Sequence, residues 1–169
     1  RGDDSLCRFG IEQKGGKFFA AETRGNVARA QVLRDAVADF FQRYAKAYVN
    51  ADTAAFSDFI SLPSMLLSGD NKTLLMDNDA LHSHILSQIE KYRQLGVVDA
   101  EPVLQHQLRL SEQLQFASLY WRFFDHSDTV LFTCHTSYTL QKSHDNWQVV
   151  AIILDDEQAA YNRVTATQA

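Results

Sequence analysis

Apolar residues recur at helical spacing from Gln31 to about Asn50. They return every three or four positions, which predicts one helix with a single apolar face. Asp52 follows as the N-cap of a predicted short second helix, which ends before Pro63. The apolar face of the first helix comprises Leu33, Val37, Phe40, Phe41, Tyr44 and Tyr48.

The same spacing predicts a third helix after a short hairpin. The hairpin has strands at Met65–Leu67 and Thr73–Met76 on either side of a turn-rich segment. Asp77 or Asn78 caps the helix, and Gly96 ends it. Its apolar face comprises Leu81, Ile85, Ile89 and Tyr92.

Beyond the third helix, apolar and polar residues alternate, which is typical of strands. Turns at residues 125–128 and 142–146 set the register of two hairpins, with Leu140 opposite Trp147. One face of the sheet, called the inner face, is then formed by Leu119, Trp121, Phe123, Phe132, Cys134, Thr136, Tyr138, Val149, Ala151 and Ile153. The opposite, outer face is also rich in apolar residues, namely Phe116, Tyr120, Phe124, Leu131, Val150, Ile152 and Leu154.

This order of elements resembles the NTF2-like superfamily, which includes SnoaL-type cyclases and ketosteroid isomerases. The resemblance spans residues 31–157 and is clearest at residues 43–52, 137–140 and 145–151. It implies an α+β, cystatin-like cone in which three N-terminal helices pack in the concave face of a curved, mixed and mainly antiparallel sheet. Residues 1–30, which hold five of the seven glycines, are expected to form a partly irregular arm, and residues 158–169 a C-terminal tail.

Composition narrows the possible partners. A formal net charge of −5 removes the attraction to phosphate backbones on which general nucleic-acid binding depends. No stretch approaches the roughly 20 apolar residues of a membrane span, and we expect a cytoplasmic protein. Cys7 and Cys134 lie far apart and form no metal-binding pattern, so neither a disulfide framework nor a zinc site is predicted. No cofactor is expected.

Aromatic and sulfur-containing residues on the inner side predict a pocket for a small apolar or aromatic ligand. An equal alternative is that the same side chains only fill the core. An enzyme of isomerase, lyase or hydrolase type, or a non-catalytic dimerisation domain, is also possible, and an enzyme would need a polar group of shifted pKa in the pocket. The predicted lining is Tyr44, Tyr48, Phe59, Met65, Trp121, Cys134, Thr136 and Tyr138.

The resemblance to ketosteroid isomerases can be tested residue by residue. Their chemistry needs a carboxylate base and an oxyanion hole made by a tyrosine and a protonated acid. The tyrosine falls on Tyr44, but the base falls on Ser68 or Leu67 and the second acid on Thr136. Two of these three groups are missing, so isomerase chemistry of that kind is disfavoured.

The apolar outer face predicts a partner that covers it. A homodimer through the sheets is the simplest solution, because a two-fold axis pairs one surface with itself. The resemblance implies the same, since sheet-to-sheet dimers are common in the superfamily. The expected interface contains Tyr120, Arg122, Leu131, His135 and Ile152.

Overall fold

The computed structural model describes residues 18–168, with side chains from residue 25 onward. Of these residues, 18–35 belong to one compact unit and 36–168 to another. In the first unit, residues 18–35 are helical, and most of their described side chains are exposed. The core and the sheet belong to the second unit.

Within residues 18–168, four α-helices and one 3-10 turn precede, interrupt and follow the strands. The helices are α1 (Phe18–Val49), α2 (Phe56–Phe59), α3 (Asn78–Gln94) and α4 (Glu157–Gln168), with the 3-10 turn at Thr53–Ala55. Asp52 caps the 3-10 turn by accepting from the Ala55 N–H, and Asp77 caps α3 by accepting from the Ala80 N–H. Gly96, at a φ of 90°, stops α3 in a conformation that favours glycine.

Six strands form one mixed sheet. They are β1 (Ile60–Ser68), β2 (Asn71–Leu75), β3 (Asp99–Arg109), β4 (Leu114–Phe124), β5 (Val130–Ser143) and β6 (Asn146–Leu154). Their order is β2-β1-β6-β5-β4-β3, with β1 parallel to β6 and every other pair antiparallel. The predicted α+β class and mixed sheet are confirmed, with one helix more than expected.

The core lies between the helices and the inner face of the sheet. The α1 residues Val37, Phe41 and Tyr44 are buried, and the Phe41 ring lies 4.6 Å from that of Tyr138 on β5. All four residues of the predicted α3 face are buried as well. On β4 the inner residues Leu119, Trp121 and Phe123 are buried, while their neighbours in sequence are half-buried, as period-two alternation requires.

The observed register of β6 differs from the predicted one and contains a β-bulge. Leu140 pairs with Val149 rather than with Trp147, and the register shifts between Thr139 and Leu140. One extra residue on a strand reverses the side to which all later side chains point. Ile152 is therefore buried on the inner face, opposite Tyr138, and the placement of Ala151 and Ile153 on that face is wrong.

Helix α4 covers an edge of the sheet that β6 leaves open. The pairing of β6 with β5 begins at Thr136, so residues 130–135 of β5 have no strand on that side. α4 packs against β5 there, and the Asp156 carboxylate accepts the His135 backbone N–H at 2.7 Å. The expected tail at residues 158–169 thus contains a helix whose Ala160 is buried. Residues 18–30 of the expected arm are helical, and the rest of the arm lies outside the described residues.

Among the helices of residues 18–168, none is both long and apolar enough to cross a membrane.

The packing of α4 can be tested with two adjacent alanines. Ala160 is 2% exposed, whereas Ala159 faces solvent. Ala160→Glu should lower the free energy of unfolding by about 2–4 kcal/mol, because it buries an unpaired carboxylate. Ala159→Glu should change it by about 0.5 kcal/mol or less. Urea unfolding measures both, and equal effects would show that α4 does not pack as described.

Candidate functional site

A cavity of about 60 Å³ lies between α1, α3, the inner face of the sheet and the start of α4. Its walls bring together six of the eight residues predicted to line a pocket. These six are Tyr44, Tyr48, Trp121, Cys134, Thr136 and Tyr138.

Two predicted lining residues lie elsewhere. The prediction is wrong for Met65. Its neighbour Leu66 pairs with Ile152, and the side chains of Leu66 and Ile152 line the cavity instead. Phe59 is buried in the core instead, where its ring lies 5.4 Å from that of Phe40 and 5.9 Å from that of Tyr44.

The aromatic wall is continuous across three elements. Trp121 and Tyr44 have ring centroids 6.2 Å apart, and Tyr48 and Tyr92 have centroids 5.8 Å apart. The Trp121 Nε1–H donates a hydrogen bond to the Tyr138 hydroxyl at 3.2 Å. Since the indole N–H has a partner, Trp121 can stay buried without an unsatisfied donor.

One carboxyl group, that of Glu157, lines this aromatic cavity. Glu157 belongs to the first turn of α4, directly after the Asp156 that pairs with β5. The Tyr92 hydroxyl donates a hydrogen bond to Glu157 Oε1. In the part of the chain that the structure describes, no other group donates a hydrogen bond to this carboxyl, and Oε2 has no hydrogen-bond donor.

Burial shifts the pKa values of the titratable side chains that line the cavity. Burial raises the pKa of Glu157, as does the nearby Asp156, while the Tyr92 hydrogen bond and Lys91 act in the opposite direction. Burial and the charge of Glu157 raise the pKa values of Tyr44 and Tyr48, which therefore remain neutral donors. Burial also raises the pKa of the Cys134 thiol.

His84 on α3 also lines the cavity. Burial, and then the positive charge of Lys91, lower the pKa of His84, so its imidazole is neutral at pH 7. Glu157 is thus the lining carboxyl, and its pKa is raised above the ordinary range of a glutamate. A carboxyl with a raised pKa in an apolar cavity is a recognised feature of functional sites.

Sequence reasoning missed the polar part of the cavity. It ends the domain at Glu157 and expects a tail at residues 158–169. It also predicts no site role for His84 and Gln88, yet both are half-buried at the cavity. The sequence does indicate a helix after Glu157, because apolar residues follow it at helical spacing. They are Ala160, Tyr161 and Val164.

The outer face carries four of the five predicted interface residues, all half-buried. Arg122 pairs with Glu101 at 2.6 Å, and His135 Nδ1 lies 3.5 Å from Asp156 Oδ2. The prediction is wrong for Ile152, because the β-bulge turns it to the inner face. The homodimer itself stays a prediction.

Within residues 18–168, no group of three or more His, Cys, Asp or Glu side chains is placed to hold a metal ion. Cys134 is a buried free thiol, and Cys7 lies outside the described residues.

The fold and the aromatic interior define an NTF2-like protein. The family model described as "NTF2-like protein (DUF6841)" matches residues 34–157, and the chain belongs to this family. Among proteins with curated descriptions, none matches the sequence.

Solved structures support the same fold. An NTF2-like protein of unknown function from Shewanella oneidensis is 14% identical, with 73% of this chain and 98% of that chain covered and a TM-score of 0.56. An NTF2-like protein with a cystatin-like fold from Novosphingobium aromaticivorans is 16% identical, with coverage of 82% and 93% and a TM-score of 0.56. Aln2 from a Streptomyces species is 14% identical, with coverage of 78% and 95% and a TM-score of 0.59.

The raised pKa of Glu157 predicts an unusual dependence of stability on pH. Between the ordinary pKa of a glutamate and the raised value, the folded state binds more protons than the unfolded state. The contribution of Glu157 to the free energy of unfolding must therefore fall as pH rises through this window. Glu157→Gln should remove that fall and leave the variant more stable than the parent protein above the window.

Urea unfolding from pH 4 to pH 8 measures this difference. Glu112→Gln is the matched control, because Glu112 is exposed and its neutralisation should not change the slope. If the two variants follow the same curve, Glu157 is not buried as described.

Proposed function

We propose that the protein binds a small, mainly apolar molecule in the inner cavity, with Glu157 as its polar contact. The observation that carries this proposal is the presence of one carboxyl group in a cavity lined mainly by aromatic and aliphatic side chains. Such sites combine apolar walls, which supply affinity, with a few polar groups, which fix orientation.

The size of the cavity favours this proposal over a filled core. A void must exceed about 10–15 Å³ to hold one water molecule, and well-packed cores contain few larger voids. The 60 Å³ cavity is above that limit. It is also below the roughly 150 Å³ cavity that holds benzene, so a compact ligand is favoured unless the walls move.

A second candidate function is proton transfer catalysed by Glu157. The raised pKa of this carboxyl in an apolar cavity favours it, because a general acid or base works best when its pKa lies near the working pH. The arrangement differs from that of ketosteroid isomerases, since Thr136 and Ser68 carry no carboxyl. Turnover that Glu157→Gln abolishes, with ligand binding retained, would favour the enzyme.

Trp121 provides an optical test of binding. Compact apolar and aromatic compounds should shift or quench its fluorescence, because its ring lines the cavity. At a ligand concentration about 100 times Kd, preferential binding to the folded state should raise Tm by about 5–10 °C. Differential scanning fluorimetry and fluorescence titration measure the two effects.

The two tryptophans provide a matched control. Trp121→Phe should abolish the fluorescence change, whereas Trp147→Phe, outside the cavity lining, should retain it. A broad compound panel that changes neither fluorescence nor Tm would show that the aromatic residues only fill the core.

A further inference from the structure

The charges around the cavity restrict the ligand more than its apolar walls do. Its lining includes no lysine or arginine, and the His84 imidazole is neutral at pH 7. The ionised carboxylate of Glu157 would therefore give the cavity a negative charge. Lys91 lies outside the lining, and its effect on the pKa of Glu157 is smaller than that of burial. An anionic ligand would therefore meet this charge with no cationic group in the lining, and a cationic ligand would neutralise it.

The aromatic wall has the same preference. The negative faces of Tyr and Trp rings attract cations that lie within about 6 Å of the ring centroid. Tyr44, Tyr48, Tyr92 and Trp121 all line the cavity, and adjacent ring centroids lie 5.8 to 6.2 Å apart. A guest placed among them can contact more than one ring as well as the carboxylate.

The hydrogen bonds specify the kind of cation. Tyr92 occupies Glu157 Oε1, and Oε2 has no donor among the described residues. A cation that carries an N–H group can donate to Oε2, which forms a charge-assisted hydrogen bond. A metal ion is disfavoured, because no three His, Cys, Asp or Glu side chains in the described part of the chain are placed to hold one.

We propose that the ligand of this cavity is a small aliphatic ammonium ion, held by the Glu157 carboxylate and surrounded by the aromatic wall. This inference rests on the proposed function and specifies its ligand class. The cavity of about 60 Å³ suits an ammonium head with few attached carbons.

Three probes of related shape and different charge test the inference. Isopropylammonium, 2-propanol and isobutyrate are added to the full chain at constant ionic strength and pH 7.5. Backbone NMR shifts of Thr136 and Tyr138 report occupancy. Isopropylammonium should bind at least about tenfold more tightly than 2-propanol, because only the cation gains the charge-assisted contact, and isobutyrate should bind most weakly.

Variants locate the charge that selects the cation. Glu157→Gln should weaken isopropylammonium binding by about tenfold or more and leave 2-propanol binding unchanged. Glu112→Gln, at an exposed position, should change neither. A Tm at or above that of the parent protein, with the same far-ultraviolet spectrum, checks that Glu157→Gln remains folded.

The outcomes separate this inference from the function on which it rests. If 2-propanol or isobutyrate binds as tightly as isopropylammonium, the ligand class is wrong, and the cavity remains a binding site. If compounds in the tryptophan experiment bind but isopropylammonium does not, the ligand class is again wrong. If neither experiment detects binding, the proposed function fails as well.

Discussion

The pairing of β6 with β5 begins at Thr136, and residues 130–135 of β5 are left without a neighbouring strand on that side. An open edge presents unpaired backbone groups and invites association with other strands. Here α4 packs against β5, and Asp156 accepts the N–H of His135 in the place of a strand carbonyl. Glu157 is the next residue, so the turn that protects the sheet edge also places a carboxyl at the cavity.

Glu157 carries an electrostatic cost that packing does not explain. An apolar side chain at this position would avoid the loss of solvation that burial imposes on a carboxylate. The Tyr92 hydrogen bond offsets part of this cost, but burial still raises the pKa. Groups that work against stability in this way concentrate at functional sites. The physical argument for function therefore rests on Glu157 more than on the aromatic residues, which a core could contain for packing alone.

The sequence predicts those parts of the fold that depend on periodicity. The α3 face, most of the α1 face and the inner residues Trp121 and Tyr138 follow from regular spacing, and the structure buries them. Leu33 and Tyr48 of the α1 face are half-buried. Departures from periodicity were not predictable. A one-residue bulge near Thr139 reverses the later part of β6, and the hairpin turn alone contains no sign of it.

The polar part of the site could not be predicted from the sequence, because it depends on tertiary packing. A glutamate at the start of a weakly apolar helix usually faces solvent, where it complements the helix dipole. Only the packing of α4 against β5 places Glu157 beside Tyr92, which is distant in sequence.

The attachment of α4 links the cavity to the rest of the molecule. Tyr92 belongs to the buried face of α3, and its hydroxyl joins that helix to α4 through Glu157. The Tyr92 ring also lies 4.9 Å from Phe123 and 5.4 Å from Phe132 on the inner face of the sheet. A ligand that contacts Glu157 Oε2 can leave the hydrogen bond between Tyr92 and Glu157 intact, whereas one that displaces the Tyr92 hydroxyl must break it. We therefore expect a ligand that preserves the fold to contact Oε2, the carboxyl oxygen to which Tyr92 does not donate.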